Sequence, residues 1–162
     1  MCDEEGTVLF IIAVAAARCL LILLFLPFSA LDKIINFDAA LAQASQAARA
    51  RAAARLLLAG GFAIEVLMSA AVISGFFDRA AALVLALYCV ITALLWKQFW
   101  RQPDFRLRGP SRGRDLFWDF WKNVALAGGF LTLALGTSAG AARQFWHHPL
   151  ASTHPYALTA SR

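Results

Sequence analysis

Ionisable residues interrupt two long apolar stretches of the sequence. Arg18 lies within the stretch from 7 to 31, and Glu65 lies within the stretch from 56 to 77. In a membrane-spanning helix, each charge alone would cost roughly 2.5 to 3.5 kcal/mol, so such residues are functional candidates. At about 1.5 Å of rise per residue, both lie near the bilayer midplane. We therefore expect Arg18 and Glu65 to form an intramembrane ion pair. Its role is either architectural or the handling of a proton or ligand.

A second group of polar residues lies near the start of the last apolar stretch. Asp119, Lys122 and Asn123 recur at helical spacing. Lys97, at the end of the preceding stretch, reaches the same leaflet. Aromatic rings surround them. The group comprises Lys97, Asp119, Lys122, Asn123, Trp96, Trp118 and Trp121. Two interpretations stay open: polar contacts between helices beneath an interfacial aromatic belt, or a pocket for a flat quinone head.

The sequence lacks the patterns typical of other chemistry. The three cysteines form no CxxC pair, and the histidines all lie in the last part of the chain, outside the apolar stretches. Phosphate-binding glycine loops, GxSxG elbows and zinc-spaced Cys/His clusters are missing. We therefore expect no catalytic residues, no metal and no covalent cofactor. Quinone and lipid stay open as small-molecule ligands, since the group around Lys122 could form a quinone pocket.

Composition places these residues in a membrane protein. The chain has 162 residues, of which 60% are hydrophobic and 15% are charged, whereas soluble domains are about a quarter charged. The apolar residues form four stretches, each near the roughly 20 residues that a helix needs to cross a bilayer. Only helices satisfy their own backbone in such stretches. The stretches cover about 7–31, 56–77, 80–100 and 116–137.

The expected fold is therefore an all-α, integral membrane four-helix bundle. The acidic start Cys2-Asp3-Glu4-Glu5 differs from the basic start of a signal peptide, so we expect the first stretch to be retained. The segment 32–54 is rich in Ala and Gln, which predicts a short amphipathic helix at the membrane surface between the first two spans. Residues 1–139 form the membrane domain, and 140–162 form a C-terminal tail.

The distribution of basic residues predicts the orientation. Apart from Arg18 and Lys122, the chain has thirteen Lys and Arg. Ten of them lie between spans one and two or between spans three and four, when Lys97 at the end of span three is counted with the second connection. The positive-inside rule then places those connections in the cytoplasm and both termini in the periplasm. The net charge of +5 follows from these connections, so the predicted partners are phospholipid and other membrane subunits rather than nucleic acid.

A short internal repeat lies in spans two and four. The sequence LAGGF occurs at 58–62 and again at 126–130. Paired glycines in membrane spans typically mark close helix packing, and we interpret both copies in this way.

The chain resembles the DoxX family of small four-helix membrane proteins over residues 15 to 137. The matching features are Arg18, Ser29-Ala30-Leu31-Asp32-Lys33, Asn36-Phe37, Leu57-Leu58-Ala59-Gly60-Gly61, Glu65, Gly75-Phe76-Phe77-Asp78-Arg79-Ala80 and Phe120-Trp121-Lys122-Asn123-Val124-Ala125-Leu126-Ala127-Gly128-Gly129. Lys97-Gln98 precedes the Phe99-Trp100 pair at the end of the third span. Members of the family commonly have a histidine at this place. The resemblance implies a bacterial inner-membrane bundle associated with oxidoreductases, including quinone-linked thiosulfate oxidation and sulfur-handling or antioxidant enzymes.

Three functions are compatible with these features. We favour an accessory subunit that anchors or stabilises a larger redox or respiratory complex and is not catalytic on its own. The first alternative is a quinone-interacting oxidoreductase subunit of the thiosulfate:quinone type, using the residues around Lys122. The second is a small proton-linked carrier that uses Arg18 and Glu65.

Overall fold

The computed structural model describes residues 2–48, 50–152 and 155–156, with side chains from residue 6 onward. Its regular structure in these residues is entirely helical. Seven α-helices follow in order: α1 (Cys2–Ile22), α2 (Ala30–Ile35), α3 (Phe37–Ala47), α4 (Arg51–Ser74), α5 (Asp78–Trp96), α6 (Arg112–Leu135) and α7 (Ala139–His147). The all-α helical bundle predicted from the apolar stretches is therefore confirmed.

The first span is bent rather than straight. A wide helical segment, Leu24–Ser29, joins α1 to α2, and Leu26 within it has the non-helical angles φ −119° and ψ 98°. Pro27 follows directly; it has no backbone N–H, and its ring clashes with the preceding helical turn. The bend turns α2 toward α4, which brings the polar residues of α2 to the middle of that helix.

Helix α3 is the surface helix expected between the first two spans. It packs Leu41 and Ala44 against Ala54 and Leu58 of α4, and all four are buried. The Trp96 indole donates from Nε1 to the Gln43 carbonyl at 3.1 Å. Helix α3 therefore covers the end of the bundle where α4 begins and α5 ends.

The main core lies where α1, α4, α5 and α6 meet. Small residues of α5 permit close packing, and larger side chains of the other helices fill the remaining space. Its buried members are Ile22, Phe25, Val72, Ala81, Ala82, Leu85, Ala86, Cys89, Ala127, Phe130 and Ala134. The α4–α5 turn uses Gly75 at φ +76°, a left-handed conformation that a glycine adopts without a steric penalty.

Helix α6 is the fourth long helix of the bundle, and a bend separates it from α7. The Ser111 hydroxyl accepts the Arg114 N–H and caps the start of α6, while the Asp104 carboxylate accepts the N–H groups of Arg112 and Gly113.

Three segments of the described chain are long and apolar enough to cross a membrane, namely Gly6–Ile35, Arg51–Ser74 and Asp78–Arg101. Helix α6 also qualifies when it is taken together with α7, from which it is bent by 70°. Helix α7 lies within the predicted C-terminal tail.

Candidate functional site

Glu65 is the centre of a buried polar cluster inside the bundle. It is 2% exposed. Lys33 Nζ lies 2.8 Å from each of its carboxylate oxygens. The Tyr88 hydroxyl donates to Oε1 at 2.7 Å, and the Ser29 hydroxyl donates to the same atom at 3.1 Å. The carboxylate is therefore neutralised by one ammonium group and held by two hydroxyls.

Local structure explains how these side chains meet. Ser29 and Lys33 are four residues apart, so they lie on one face of the helix that follows the bend, and Lys33 also donates to Ser29 at 2.7 Å. Gly61 lies one turn before Glu65 on α4. A Cβ at Gly61 would lie 3.2 Å from the Tyr88 hydroxyl oxygen. The missing side chain at Gly61 therefore makes room for Tyr88 to reach Glu65.

A cavity of about 590 Å³ extends from this cluster between α2, α3, α4 and α5. Its wall includes the apolar side chains of Leu24, Phe25 and Ile64. Two further lining residues, Asp32 and Asn36, are exposed at the surface. The cavity therefore connects a buried carboxylate to the outside of the bundle. Its volume lies within the roughly 300 to 1,000 Å³ typical of small-molecule sites.

Arg18 belongs to a different buried ion pair. Its Nη2 lies 2.6 Å from Asp78 Oδ2 at the start of α5, and its Nη1 donates to the Val72 carbonyl at 2.6 Å. Ser152 donates its backbone N–H to Asp78 Oδ1 at 2.7 Å, and its hydroxyl binds Oδ2. The Tyr156 ring centroid lies 5.7 Å from the guanidinium carbon. The C-terminal segment thus covers this pair.

The predicted Arg18–Glu65 pair is therefore wrong. Arg18 contacts the last turn of α4, where Val72 lies, and Glu65 is two turns earlier on that helix. Arg18 thus lies at the end of the bundle rather than at its centre. The bend after α1 then lets Lys33 reach Glu65 from the opposite direction. Both charges are paired, but with residues near the helix ends.

The second predicted polar group is brought together only in part. Lys97 Nζ lies 3.0 Å from Asp119 Oδ2, and Lys122 Nζ lies 3.4 Å from Asp119 Oδ1. The Lys122 side chain is 73% exposed, so it points away from the bundle. Trp118 and Trp121 are exposed, as an outward-facing aromatic belt would be. Trp96, Lys97 and Asn123 line the same cavity as Glu65.

Four polar residues of these two sites did not emerge as candidates from the charge pattern. They are Ser29, Lys33, Asp78 and Tyr88. Two sequence features could have identified some of them: the four-residue spacing of Ser29 and Lys33, and the position of Asp78 directly after a short turn. Both features occur in the motifs that carry the DoxX resemblance. Within the described residues, no group of three or more His, Cys, Asp or Glu side chains is placed to hold a metal ion.

Comparison with known proteins agrees with this architecture. The model of the DoxX family matches residues 13–98, which include the Glu65 cluster and the Arg18–Asp78 pair. The chain is 32% identical over 127 residues to the inner membrane protein YphA of Escherichia coli (strain K12), a match that covers 77% of this chain and 82% of that protein. No solved structure matches the chain significantly.

Proposed function

This chain belongs to the DoxX family, as its motifs indicated, and we propose that it is an accessory membrane subunit of a redox complex that holds a quinone-type ligand beside Glu65. Its apolar helices and the name of its relative support an inner-membrane location. In this proposal, the chain supplies a binding site, and a partner subunit supplies the electrons.

The observation that carries the proposal is the cavity with the Glu65 cluster in its wall. Apolar residues form much of the lining, and the polar groups converge at one place. Polar groups at membrane depth are costly, so a cluster of four is expected where a ligand or proton is handled. This combination of an apolar wall and a few convergent polar groups is typical of small-molecule sites.

The donor set fits a ring that carries carbonyl groups. Lys33 Nζ and the Tyr88 hydroxyl at the cavity wall both donate to Glu65 in this structure. In the proposal, a bound quinone carbonyl would accept one of these hydrogen bonds in place of Glu65. Phe25 and Trp96 offer flat apolar surfaces within the same cavity. A bound quinone would supply coupled electron and proton transfer. The chain would hold the ring and keep Glu65 beside it as a proton acceptor.

An anchoring role without a ligand is the second candidate. The N-terminal part of α1 carries Val8, Leu9, Phe10 and Ile12, which are 55–69% exposed. The contacts of Arg18 with the end of α4 and the start of α5 show that this part of α1 extends past the α4–α5 turn. A helix of a partner subunit would bury this apolar surface.

Purification from the native membrane in mild detergent tests both candidates. Mass spectrometry of comigrating proteins identifies a redox partner, and organic extraction of the same sample detects bound quinone. A short-chain quinone titrated into the purified protein should quench its tryptophan fluorescence. Tyr88→Phe removes one donor and should weaken binding about 2- to 10-fold, the usual value of one hydrogen bond. Tyr156→Phe, which alters the other end of the bundle, is the matched control.

The outcomes separate the two roles. Quinone binding that weakens in Tyr88→Phe and not in Tyr156→Phe supports the ligand-holding subunit. A comigrating redox partner without quinone binding favours the anchor. Failure to detect either a partner or quinone binding would show that both candidates are wrong.

A further inference from the structure

The face of α4 that carries Glu65 continues with two more buried residues. Ser69 and Val72 follow Glu65 by four and seven positions, so the three stack along one side of the helix. Glu65 is 2% exposed, and Ser69 and Val72 are 0% exposed. Val72 offers its carbonyl to Arg18. This face therefore connects the Glu65 cluster to the Arg18–Asp78 pair through the interior of the bundle.

Unpaired polar atoms lie along this connection. Ser69 Oγ and Arg18 Nε are buried and have no hydrogen-bond partner in the described part of the chain. A serine within a helix commonly donates to the carbonyl one turn earlier, but Ser69 makes no such bond. Buried polar atoms without a protein partner typically bind an internal water. Ser69 Oγ and Arg18 Nε are therefore the two polar atoms between the ion pairs that are free to bind an internal water within the described part of the chain.

We propose that Ser69 and Arg18 hold internal water that connects the cavity to the Arg18–Asp78 pair and forms a path for protons through the bundle. This function goes beyond ligand binding and requires no quinone. It also differs from the carrier expected from the sequence, because Arg18 and Glu65 act at opposite ends instead of as a pair.

The proton balance of the path is simple. The Ser69 oxygen accepts a proton from one neighbour as its hydroxyl releases a proton to the next, so the residue is unchanged after each transfer. Glu65 exchanges protons at the cavity end, and Asp78 does so at the other. Arg18 stays protonated. Asp78 balances the Arg18 charge at 2.6 Å, so the guanidinium orients water without presenting an uncompensated positive charge to an arriving proton.

Both ends of the path lie close to the surface. At one end, the cavity that contains Glu65 reaches exposed Asp32 and Asn36. At the other, Asp78 binds Ser152, which is half-buried in the C-terminal segment. The fully buried part is therefore the stretch of α4 that contains Ser69. We expect this residue to control the rate of proton transfer.

Proteoliposomes without quinone test the path. A potassium gradient with valinomycin sets the membrane potential, and a pH-sensitive dye inside the vesicles reports proton entry. The wild-type protein should accelerate proton entry relative to protein-free vesicles. Ser69→Ala and Glu65→Gln should each lose most of this excess. Ser74→Ala is the matched control, because Ser74 is an exposed serine of the same helix; it should transport like the wild type.

Each alternative outcome overturns the proposal. Wild-type vesicles that behave like protein-free vesicles would show that no path exists. A Ser69→Ala variant with wild-type flux would show that Ser69 is not part of it. A wild-type sodium leak of similar size would reveal imperfect packing rather than proton selectivity. If Ser69→Ala elutes as an aggregate, Ser69→Cys tests the same step, because a thiol of similar size is only a weak donor. These results are independent of quinone binding.

Discussion

Lys33 Nζ lies 2.8 Å from each carboxylate oxygen of Glu65, yet the two side chains differ in burial: Lys33 is 20% exposed and Glu65 is 3% exposed. Lys33 lies near the end of α2, whereas Glu65 lies in the middle of α4. Loss of one partner therefore leaves the other in a very different environment. This asymmetry makes the pair testable.

Lys33→Met should destabilise the protein more than Glu65→Gln. The first change leaves a buried carboxylate without its counter-charge, and removal of one partner from a buried pair costs about 3–5 kcal/mol. The second leaves an ammonium group that can turn toward solvent. Thermal unfolding in detergent measures the difference. Lys122→Met, at an exposed lysine, should leave the unfolding temperature nearly unchanged. A larger loss in Glu65→Gln would contradict this order.

Arg18 and Asp78 should be energetically coupled, whereas Arg18 and Glu65 should not. Single Leu substitutions at Arg18 or Asp78 should each be strongly destabilising. The double variant should recover part of the loss, because apolar residues can replace a buried ion pair at little cost. A double-mutant cycle on unfolding free energies gives the coupling. The cycle on Arg18 and Glu65 is the control, and a strong coupling there would favour the original pairing over the Asp78 contact.

Gly60→Ala should stabilise the protein more than Gly61→Ala. A Cβ at Gly61 would press on the Tyr88 hydroxyl at 3.2 Å, while a Cβ at Gly60 meets no atom within 4 Å. Alanine at Gly60 should therefore add the usual helix preference, up to about 1 kcal/mol. Alanine at Gly61 should offset that gain by displacing Tyr88 from Glu65. Equal stabilisation of both variants would show that Tyr88 does not need this space.

Gly129→Ala should stabilise the protein less than Gly128→Ala, because Leu21 of α1 must rotate away from the new Cβ. A Cβ there would lie 2.7 Å from Leu21 Cδ2, whereas Gly128 has open space around it. Gly128→Ala is therefore the matched control. The second glycine of each LAGGF copy lies against a neighbouring helix, which agrees with the packing interpretation. Unfolding temperatures of the two variants should differ, with Gly129→Ala the lower. The reverse order would argue against close packing at this position.

Both termini should face the periplasm. The two connections rich in Lys and Arg lie at the opposite end of the bundle from the α4–α5 turn, and the positive-inside rule places them in the cytoplasm. A C-terminal alkaline phosphatase fusion should be active, and a C-terminal green fluorescent protein fusion should be dark. A fluorescent fusion with an inactive phosphatase would reverse the orientation but leave the helical bundle intact.

The sequence by itself determined the class of the protein and the positions of its apolar helices. The length and apolarity of a stretch are local properties, and a bilayer admits few backbone conformations for such a stretch. The family-like motifs were likewise readable without a structure. Even the surface helix α3 followed from composition, because an Ala-rich segment without Pro or Gly favours a helix.

Only the tertiary structure decided which residues meet. Arg18 and Glu65 were identified as costly buried charges, but their partners depend on the bend at Leu26 and on which helix ends approach each other. Similarly, helical spacing grouped Asp119 with Lys122, but the packing of α6 on α5 turned Lys122 outward. Pairing is a property of helix register and rotation. Those are set by contacts between residues distant in sequence, and hydropathy along one chain carries no information about them.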